Sequence, residues 1–375
     1  MRSLGIFGGL PAFPSFPGDG TVLIDDVPVR SRIMRSEVPA FDPTSEENAR
    51  RVVVQVRAFS LNYRDKSFMV QMQTLPRNRF FAVGSELTGT VLEVGAEVRG
   101  FKPGDRVMGQ NHFVSLKIRP GGWRDGVATN QGSKEVQAFH EEKLIRIPDS
   151  MPDEIAAAFS LGAQTAYSMI RKAEVEEGTR VLVTSATSST SGFVIAALKA
   201  RGARIFATTA SDTHDQRLMD MGVERIVRVT GARSSFRHND DVMQLARDLD
   251  GFEAVIDPFF DLHVERGLEM LLPFGRYVTC GLAGQTEGAK RQAAVQPVNG
   301  RDVLLTAMVN NLSIIGNCLG LHSDLDAAVA DYEAGRFQIP MDSTFTGEDA
   351  PGFLNRTYCD RSRFGKVVFR YDDAA

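Results

Sequence analysis

Short segments of alternating or mostly apolar residues, separated by glycine and proline, fill the first part of the chain. Residues 51–58 alternate in their second half and predict a strand. Residues 83–94 predict another, and Pro-Gly-Asp at 103–105 predicts a tight turn before a further strand. This pattern continues to about residue 148. It is typical of a small β-barrel or sandwich.

The pattern changes after Pro148, where apolar strands begin to alternate with helical segments. Ser150 or Asp153 can cap a helix that runs through the alanine-rich residues 154–172. Beyond it the pattern predicts strands at 180–184, 204–209, 254–257, 275–280 and 312–316, and helices at 192–201, 212–221 and 261–272. Repeated βαβ units of this length predict a parallel, doubly wound sheet.

The last stretch returns to the earlier pattern. A helix is predicted near residues 323–335, followed by short segments at 344–347 and 349–358 and a strand at 365–370. We therefore predict an α/β chain with two domains. Residues 1–155 and 321–375 form a β-barrel domain, and residues 156–320 form a dinucleotide-binding domain inserted between them.

Composition narrows the possible partners. The 375 residues carry a formal net charge of −4, so there is no electrostatic reason to expect nucleic acid or an anionic membrane as a partner. No apolar run approaches the ~20 residues of a membrane helix. Residues 1–20 lack a basic segment followed by an apolar one, so we expect a cytoplasmic protein. Three scattered cysteines predict neither a disulfide framework nor a CxxC metal site.

Residues 181–203 contain a strand, a turn of small residues and a helix. Such a turn directs backbone N–H groups and a helix N-terminus at a diphosphate. The usual Gly-x-Gly-x-x-Gly is absent, and serine occupies most of the expected glycine positions. Serine is small and adds a donor, but it tolerates a positive φ poorly. We expect the cofactor to bind this serine loop, Ser185, Ala186, Ser188, Ser189, Thr190 and Ser191; the alternative is a plain strand–helix turn.

The end of the second strand of this domain predicts the cofactor type. A site for NAD usually places an acid there to bind the ribose 2′-hydroxyl. Here the nearest acid, Asp212, falls beyond the expected tip. The sequence therefore favours NADPH, although Ser211 could instead cap the following helix. Candidate ligands of the 2′-phosphate are Thr208, Thr209, Ser211, His214 and Arg217.

Several segments, in this order and spacing, resemble the medium-chain dehydrogenase/reductase superfamily over nearly the whole chain. They are residues 56–65, 84–95, 101–109, 147–149, 156–167, 181–203 and 364–369. The resemblance implies a GroES-like β-barrel catalytic domain split by a Rossmann domain, and a nicotinamide cofactor.

Metal-dependent alcohol dehydrogenases of that superfamily place zinc ligands where this chain has Asn62, Ser85 and Leu161. Zinc needs three good protein ligands and an open position, which these side chains do not supply. A four-cysteine structural zinc site is excluded by the cysteine count. The resemblance therefore implies a member that binds no metal.

Residues 61–65, Leu-Asn-Tyr-Arg-Asp, are similar to the quinone-reductase and enoyl-reductase branches, including enoyl-reductase domains of polyketide synthases. Those branches transfer hydride from NADPH to a quinone or to the β-carbon of an unsaturated carbonyl. The resemblance implies that Asn62 lies near the nicotinamide and that Tyr63 is a candidate proton donor or hydrogen-bond partner of the developing enolate. The alternatives are turn formation or backbone hydrogen bonding for Asn62 and core packing for Tyr63. For Arg64 and Asp65 we expect an ion pair or a turn contact.

The resemblance also implies further contacts with the cofactor, by Thr165, Gly281, Leu282, Asn317, Leu319 and Lys366. Lys366 could equally be an exposed residue at the start of a strand, and His112 borders the cleft or lies in a surface loop. A small-molecule substrate and a homodimer formed through residues 312–316 are expected. Two other functions stay open: a carbonyl reductase or alcohol dehydrogenase acting without metal, with Tyr63 as the acid, and a non-catalytic nucleotide-binding protein.

Overall fold

The computed structural model describes residues 1–8, 19–74, 79–111, 113, 118–119, 122–229, 239–283 and 298–372. The chain divides into two compact units. Unit 1 comprises Met1–Leu161 and Met341–Ala375, and unit 2 comprises Gly162–Pro340. The expected domain limits lay at 155/156 and 320/321, so the second limit differs more than the first.

Unit 1 begins with most of its strands and two of its helices. In chain order these are β1 (Arg2–Gly8), β2 (Gly20–Ile24), β3 (Val27–Arg35), β4 (Arg51–Ser60), α1 (Tyr63–Gln73), β5 (Arg79–Ala82), β6 (Glu86–Val94), β7 (Arg106–Gly109), β8 (Val136–His140), β9 (Leu144–Arg146) and α2 (Asp153–Ala156).

Unit 2 alternates helices and strands, and the chain then returns to unit 1. The elements of unit 2 are α3 (Ser160–Lys172, starting at the boundary), β10 (Arg180–Val183), α4 (Ser189–Ala200), β11 (Arg204–Thr209), α5 (Asp215–Asp220), β12 (Val223–Arg228), α6 (Asp240–Asp248), β13 (Phe252–Asp257), α7 (Phe260–Glu269), β14 (Leu271–Thr279), α8 (Gly300–Val309), β15 (Ser313–Gly316) and α9 (His322–Glu333). The returning elements are β16 (Met341–Phe345), α10 (Ala350–Tyr358) and β17 (Lys366–Arg370).

The described residues of unit 1 form two sheets. A four-stranded sheet has the order β2-β3-β1-β5, and a seven-stranded sheet has the order β16-β17-β4-β6-β7-β9 with β8 also paired to β4. Strand β4 is central because β6, β8 and β17 all pair with it. Its side chains Val52, Val54 and Phe59 are fully buried in one core, where Phe59 stacks on Phe369 of the returning β17.

The expected helix at residues 154–172 is two helices, α2 and α3. Its cap is Pro152, not Ser150 or Asp153. At the break, the N–H groups of Ala158 and Phe159 donate to carbonyls three residues earlier. This tighter 3₁₀ pattern ends α2 and turns the chain before α3 begins.

The sheet of unit 2 has the order β12-β11-β10-β13-β14-β15, and every neighbouring pair is parallel. This is the strand order of a doubly wound dinucleotide-binding sheet, with its crossing point between β10 and β13. The predicted fold class is confirmed. Helix α9 belongs to this unit, because Tyr167 of α3 donates to Asp331 at 2.7 Å and Arg171 pairs with Asp324 at 2.7 Å. These contacts explain why the observed limit lies beyond residue 320.

No helix in the described part of the chain is long and apolar enough to cross a lipid bilayer.

Candidate catalytic and cofactor sites

In unit 1, the segment expected to carry catalytic residues, residues 61–65, contains the start of helix α1, which was not predicted from the sequence. Asn62 is the N-cap of α1, and its backbone N–H donates to the Asp65 carboxylate at 2.7 Å. An Asn followed three residues later by an acid is the pattern of a capping box. That spacing could have predicted α1. Asp65 therefore makes the expected turn contact, while Arg64 donates to Asn130 at 2.6 Å.

The side-chain amide of Asn62 is held on both sides. Its Oδ1 accepts from Lys366 Nζ at 2.8 Å, and its Nδ2 donates to Ser85 Oγ at 3.1 Å and to Glu86 Oε2 at 2.8 Å. An amide nitrogen carries two hydrogens, and two acceptors use both of them. Asn62 is therefore fixed in orientation, and its further capacity is that of an acceptor at Oδ1.

Lys366 is buried, not exposed. Its ammonium donates to Glu86 at 2.6 Å, to Asn62 Oδ1 and to the Leu61 carbonyl at 3.1 Å. Three protein oxygens match its three hydrogens. Burial raises the pKa of Glu86, but the Lys366 charge and several hydrogen bonds outweigh burial and hold that pKa below its ordinary value. Glu86 and Lys366 therefore form a buried ion pair.

Glu86 also accepts hydrogen bonds from two more segments of unit 1. Its Oε2 accepts from Ser60 Oγ at 3.0 Å, and its Oε1 accepts from the Leu161 backbone N–H at 2.7 Å. Ser85 beside it donates to Asp65 at 2.5 Å. Burial raises the pKa of Asp65, against the opposing effect of this hydrogen bond.

The three positions compared with zinc ligands are thus joined by hydrogen bonds. Asn62 donates to Ser85, and Leu161 is tied through its backbone to Glu86. Among the residues that the structure describes, no group of three or more His, Cys, Asp or Glu side chains is arranged to hold a metal ion.

Tyr63 is 38% exposed, so the core-packing alternative for it is wrong. It starts α1, and the Lys66 ammonium lies 4.9 Å from the centre of its ring. His112, for which the sequence left a place beside the cleft open, lies outside the described residues.

In unit 2, two serines of the loop between β10 and α4 stabilise its turn. Ser188 is the N-cap of α4 and accepts from the Ser191 N–H at 3.2 Å. Ser191 in turn donates to the Thr184 carbonyl at 2.7 Å. Ser189 and Thr190 lie half-buried in the first turn of α4. Ser188 and Ser191 therefore stabilise the turn that precedes α4.

One residue of this loop adopts a backbone conformation that is energetically unfavourable for any residue other than glycine. Ser185 has φ +49°, the left-handed conformation that glycine adopts easily and serine does not. The neighbouring Ala186 N–H donates to the Thr208 carbonyl at 2.8 Å. Gly192 is retained, and a Cβ there would lie 2.9 Å from Pro340 Cγ. Small residues, a tight turn and the first N–H groups of a twelve-residue helix fit a diphosphate.

The residues after β11, and the start of the helix that follows, differ from the sequence prediction. Thr208 and Thr209 are buried, and Thr209 exchanges hydrogen bonds with the backbone of Ser211. Helix α5 starts at Asp215 with His214 as its N-cap, so Ser211 does not cap it. His214 is buried, whereas Ser211 and Arg217 are exposed.

A buried carboxylate that the sequence analysis missed lies at the end of β13. Asp257 is fully buried and accepts from Tyr277 Oη at 2.5 Å, from the Phe259 N–H at 3.0 Å and from Thr184 Oγ1. His263 Nδ1 lies 2.7 Å from it. Burial raises the pKa of Asp257, but His263 and the hydrogen bonds outweigh burial and hold it below its ordinary value. Asp257 thereby ties the end of β10, just before the serine loop, to β13 and β14.

The remaining predicted cofactor residues of unit 2 lie after neighbouring strands, apart from Thr165, which is buried in α3. Gly281 and the exposed Leu282 follow β14, and Asn317 and Leu319 follow β15. Asn317 accepts from Ser168 Oγ at 2.8 Å and donates to the Leu319 carbonyl at 2.9 Å. Because carboxyl ends of parallel strands share one edge of a sheet, these residues and the serine loop meet at the edge where such sheets bind ligands.

Comparisons with known proteins agree with both units. Residues 48–149 match the alcohol dehydrogenase GroES-like domain. Acryloyl-coenzyme A reductase of Metallosphaera sedula is 26% identical over 338 residues, which are 84% of this chain and 91% of that protein. Escherichia coli quinone oxidoreductase, solved in complex with NADPH, has TM-score 0.71 at 17% identity and covers 99% of this chain and 100% of its own.

These matches support the medium-chain dehydrogenase/reductase superfamily as the family of this chain. The resemblance seen in the sequence is confirmed, as is the pairing of a GroES-like domain with a Rossmann-type parallel sheet. Another relative is a phenolphthiocerol/phthiocerol polyketide synthase of Mycobacterium tuberculosis, 28% identical over 232 residues. These residues are 62% of this chain but only 10% of the synthase. Two of these relatives are named as reductases or oxidoreductases, acryloyl-coenzyme A reductase and quinone oxidoreductase.

Proposed function

We propose that this protein is an NADPH-dependent, metal-independent reductase. Its substrate is an activated C=C bond, in an enone or an enoyl thioester, or a quinone. The observation that carries the proposal is the ligand-binding edge of unit 2, where a small-residue loop meets the N-terminus of α4 in a sheet of the dinucleotide-binding order. The names of the relatives, acryloyl-coenzyme A reductase and quinone oxidoreductase, support the substrate class.

Metal independence is supported by the ion pair in unit 1. A catalytic zinc ion needs anionic or neutral donors directed at one point. Here the Asn62 amide is turned toward Lys366, Ser85 and Glu86, and the ammonium of Lys366 already neutralises Glu86. A divalent cation in this cluster would be repelled by that ammonium.

NADPH, when bound, supplies the hydride, and the protein supplies binding and orientation. We propose that the N-terminus of α4, with Ser189 and Thr190, binds the diphosphate, while Ser188 and Ser191 hold the turn. Thr165, Gly281, Leu282, Asn317 and Leu319 are proposed to line the nicotinamide side of the edge. Asn62 and Tyr63 are the proposed catalytic residues of unit 1, and Tyr63 donates the proton. Lys366 is now proposed to act as a positioning residue for Asn62.

The test is oxidation of NADPH by the purified protein in the presence of enones, enoyl thioesters, quinones or aldehydes. Turnover of an enone, an enoyl thioester or a quinone that is unchanged after dialysis against a chelator supports the proposal. Turnover of aldehydes alone indicates a metal-independent carbonyl reductase. Binding of NADPH without turnover on any class contradicts the reductase function and supports a nucleotide-binding protein. Stoichiometric zinc with chelator-sensitive turnover contradicts metal independence.

We further propose that unit 2 pairs with a second copy of the chain. Strand β15 ends the sheet, and beside it α8 exposes Leu304, Leu305, Met308 and Val309 by 54–70%. Phe274 is 70% exposed at φ +67°, with its N–H bonded to the Asn310 carbonyl at the end of α8. An open edge strand beside an apolar helix face is an association surface, and a two-fold axis lets each copy cover the other.

A further inference from the structure

Arg228 is the last residue of β12 and lies at the ligand-binding edge of unit 2. Strands β11 and β12 are parallel, and Arg228 is the register partner of Thr209, the last residue of β11. The two strands therefore end side by side. The side chain of Arg228 starts next to the segment where a dinucleotide-binding sheet recognises the adenosine ribose.

The guanidinium of Arg228 reaches the loop that follows β11. Its Nη1 donates to the Ser211 carbonyl at 2.6 Å, and its Nη2 pairs with the carboxylate of Asp215. The side chain is 32% exposed, so a ligand can approach it. Arginine carries five N–H donors in a fork that matches the oxygens of a phosphate, more than these two contacts use.

The residues around the end of β11 favour a cation, and not an acid, as the group that contacts the ribose. The β11 tip carries Thr209 and Ser211 in place of the acid that would bind a ribose 2′-hydroxyl. Thr209 is buried and bonded to the Ser211 backbone, which leaves its hydroxyl poorly placed for a phosphate.

We propose that Arg228 binds the 2′-phosphate of NADPH and so selects NADPH over NADH. This inference rests on the proposed dinucleotide function of unit 2. Asp215 holds the guanidinium at the ribose end and competes with the phosphate for it. A phosphate monoester carries a charge of about −1.5 to −2 at neutral pH and three acceptor oxygens. It therefore attracts the guanidinium more strongly than one carboxylate does, and binding exchanges one partner for the other.

Titration of Arg228→Gln with NADPH, NADH, 2′,5′-ADP and 5′-AMP, by calorimetry, tests this proposal. One hydrogen-bonded ion contact corresponds to about a 10- to 150-fold change in affinity. We expect that loss for NADPH and 2′,5′-ADP, and a change within about twofold for NADH and 5′-AMP, which lack the phosphate. Arg225→Gln is the matched control. Arg225 lies on the same strand, is exposed and pairs with Asp248 at 2.9 Å, so its loss should change none of the four affinities.

Asp215→Asn provides a test in the opposite direction. It removes the competing charge and keeps the side-chain size, so we expect tighter binding of NADPH and unchanged binding of NADH. Equal weakening of all four ligands by Arg228→Gln would show that Arg228 only supports the loop, and would overturn the proposal. Unchanged affinity for NADPH would overturn it as well.

These outcomes are separate from failure of the proposed function. Wild-type protein that binds NADPH through Arg228 but reduces no substrate contradicts the reductase, not the role of Arg228. Wild-type protein that binds neither NADPH nor 2′,5′-ADP contradicts both.

Discussion

The ammonium of Lys366 lies 2.6 Å from Oε2 of Glu86, and neither side chain is more than 2% exposed. The pair joins the end of β4, the start of β6 and the start of β17, and Glu86 also receives the Leu161 N–H. The residues near 61 and 86 are thereby tied to a strand near the end of the chain. This contact is one physical reason why the chain returns to unit 1 after the parallel sheet.

Lys366→Met should destabilise the protein by about 3–5 kcal/mol, because it leaves the Glu86 carboxylate buried without its partner. The double variant Lys366→Met with Glu86→Gln should recover much of the loss, since no unpaired charge remains. Urea unfolding of both variants measures the difference. The control is Arg35→Ala, which breaks the exposed Arg35–Glu348 pair and should cost at most about 1 kcal/mol. A loss for Lys366→Met as small as that of the control would refute a structural role for the pair.

Acid should remove the stabilisation that Glu86 provides. Its pKa in the folded protein lies below the ordinary 4.5, so its contribution is complete above pH 4.5 and is lost as the pH falls below that value. The stability gap between wild type and Glu86→Gln should therefore narrow on acidification. The pKa of Asp65 is raised, so wild type should gain relative to Asp65→Asn as the pH falls. Urea unfolding between neutral pH and pH 3.5 checks both signs. A gap for Glu86→Gln that is independent of pH contradicts the ionised pair.

The fold was more predictable from sequence than the site. The strands at 180–183, 204–209 and 252–257 are continuous apolar runs between turn residues, and their order with the helices identifies a parallel sheet. The helix α1 was missed because its residues show little amphipathic pattern. The strands of the four-stranded sheet, which lie within residues 2–35 and 79–82, were not predicted individually.

The site depends on contacts between residues that are far apart in the chain, and the sequence pattern does not predict such contacts. Lys366 looked like a surface lysine or a cofactor ligand, and its partner Glu86 is 280 positions away. Arg228 is 17 residues from Ser211, although β12, which ends at Arg228, and β11, which ends just before Ser211, end side by side. In both cases parallel or antiparallel pairing determines the neighbour, not spacing along the chain.

Ser185→Gly should stabilise the protein by up to about 1 kcal/mol. A left-handed φ costs a non-glycine residue about 1–2 kcal/mol, and glycine gives back about 0.4–1 kcal/mol of this through the entropy of the unfolded chain. Ser189→Gly is the control, because Ser189 is helical and glycine there should destabilise by about 0.5–1 kcal/mol. Thermal melts of both variants give the signs. Destabilisation by Ser185→Gly would show that the hydroxyl contributes more than the backbone strain costs.

Phe274→Asp and Val309→Asp should each convert the proposed dimer to a monomer. Each places a charge on the exposed apolar surface next to β15, where burial against a second copy would leave it without a partner. Light scattering at micromolar concentration should show a dimer for wild type and a monomer for the variants. Leu23→Asp is the control, since Leu23 is 64% exposed but belongs to unit 1, whereas the proposed surface is formed by unit 2. A monomeric wild type would contradict the dimer.

The last prediction separates ligand from scaffold within the serine loop. If the loop binds the diphosphate, several backbone N–H groups share the anion, so Ser189→Ala should weaken NADPH by at most about 1.5–3 kcal/mol. Ser189→Leu should weaken it more by blocking the phosphate, and Ser189→Glu more again by repelling it. Ser188→Ala instead removes the cap of α4 and should cost about 0.5–2 kcal/mol of stability.

Calorimetric titration and thermal melts of these four variants distinguish the two roles. The Ser189 variants should change affinity with little change in melting temperature, whereas Ser188→Ala should lower the melting temperature. The half-buried position of Ser189 in the first turn of α4 is the reason to expect room for these side chains without unfolding. A folded Ser189→Glu variant that binds NADPH as tightly as wild type would mean that the loop does not contact the diphosphate. In that case the argument from the serine loop fails, and the superfamily membership alone would support cofactor binding.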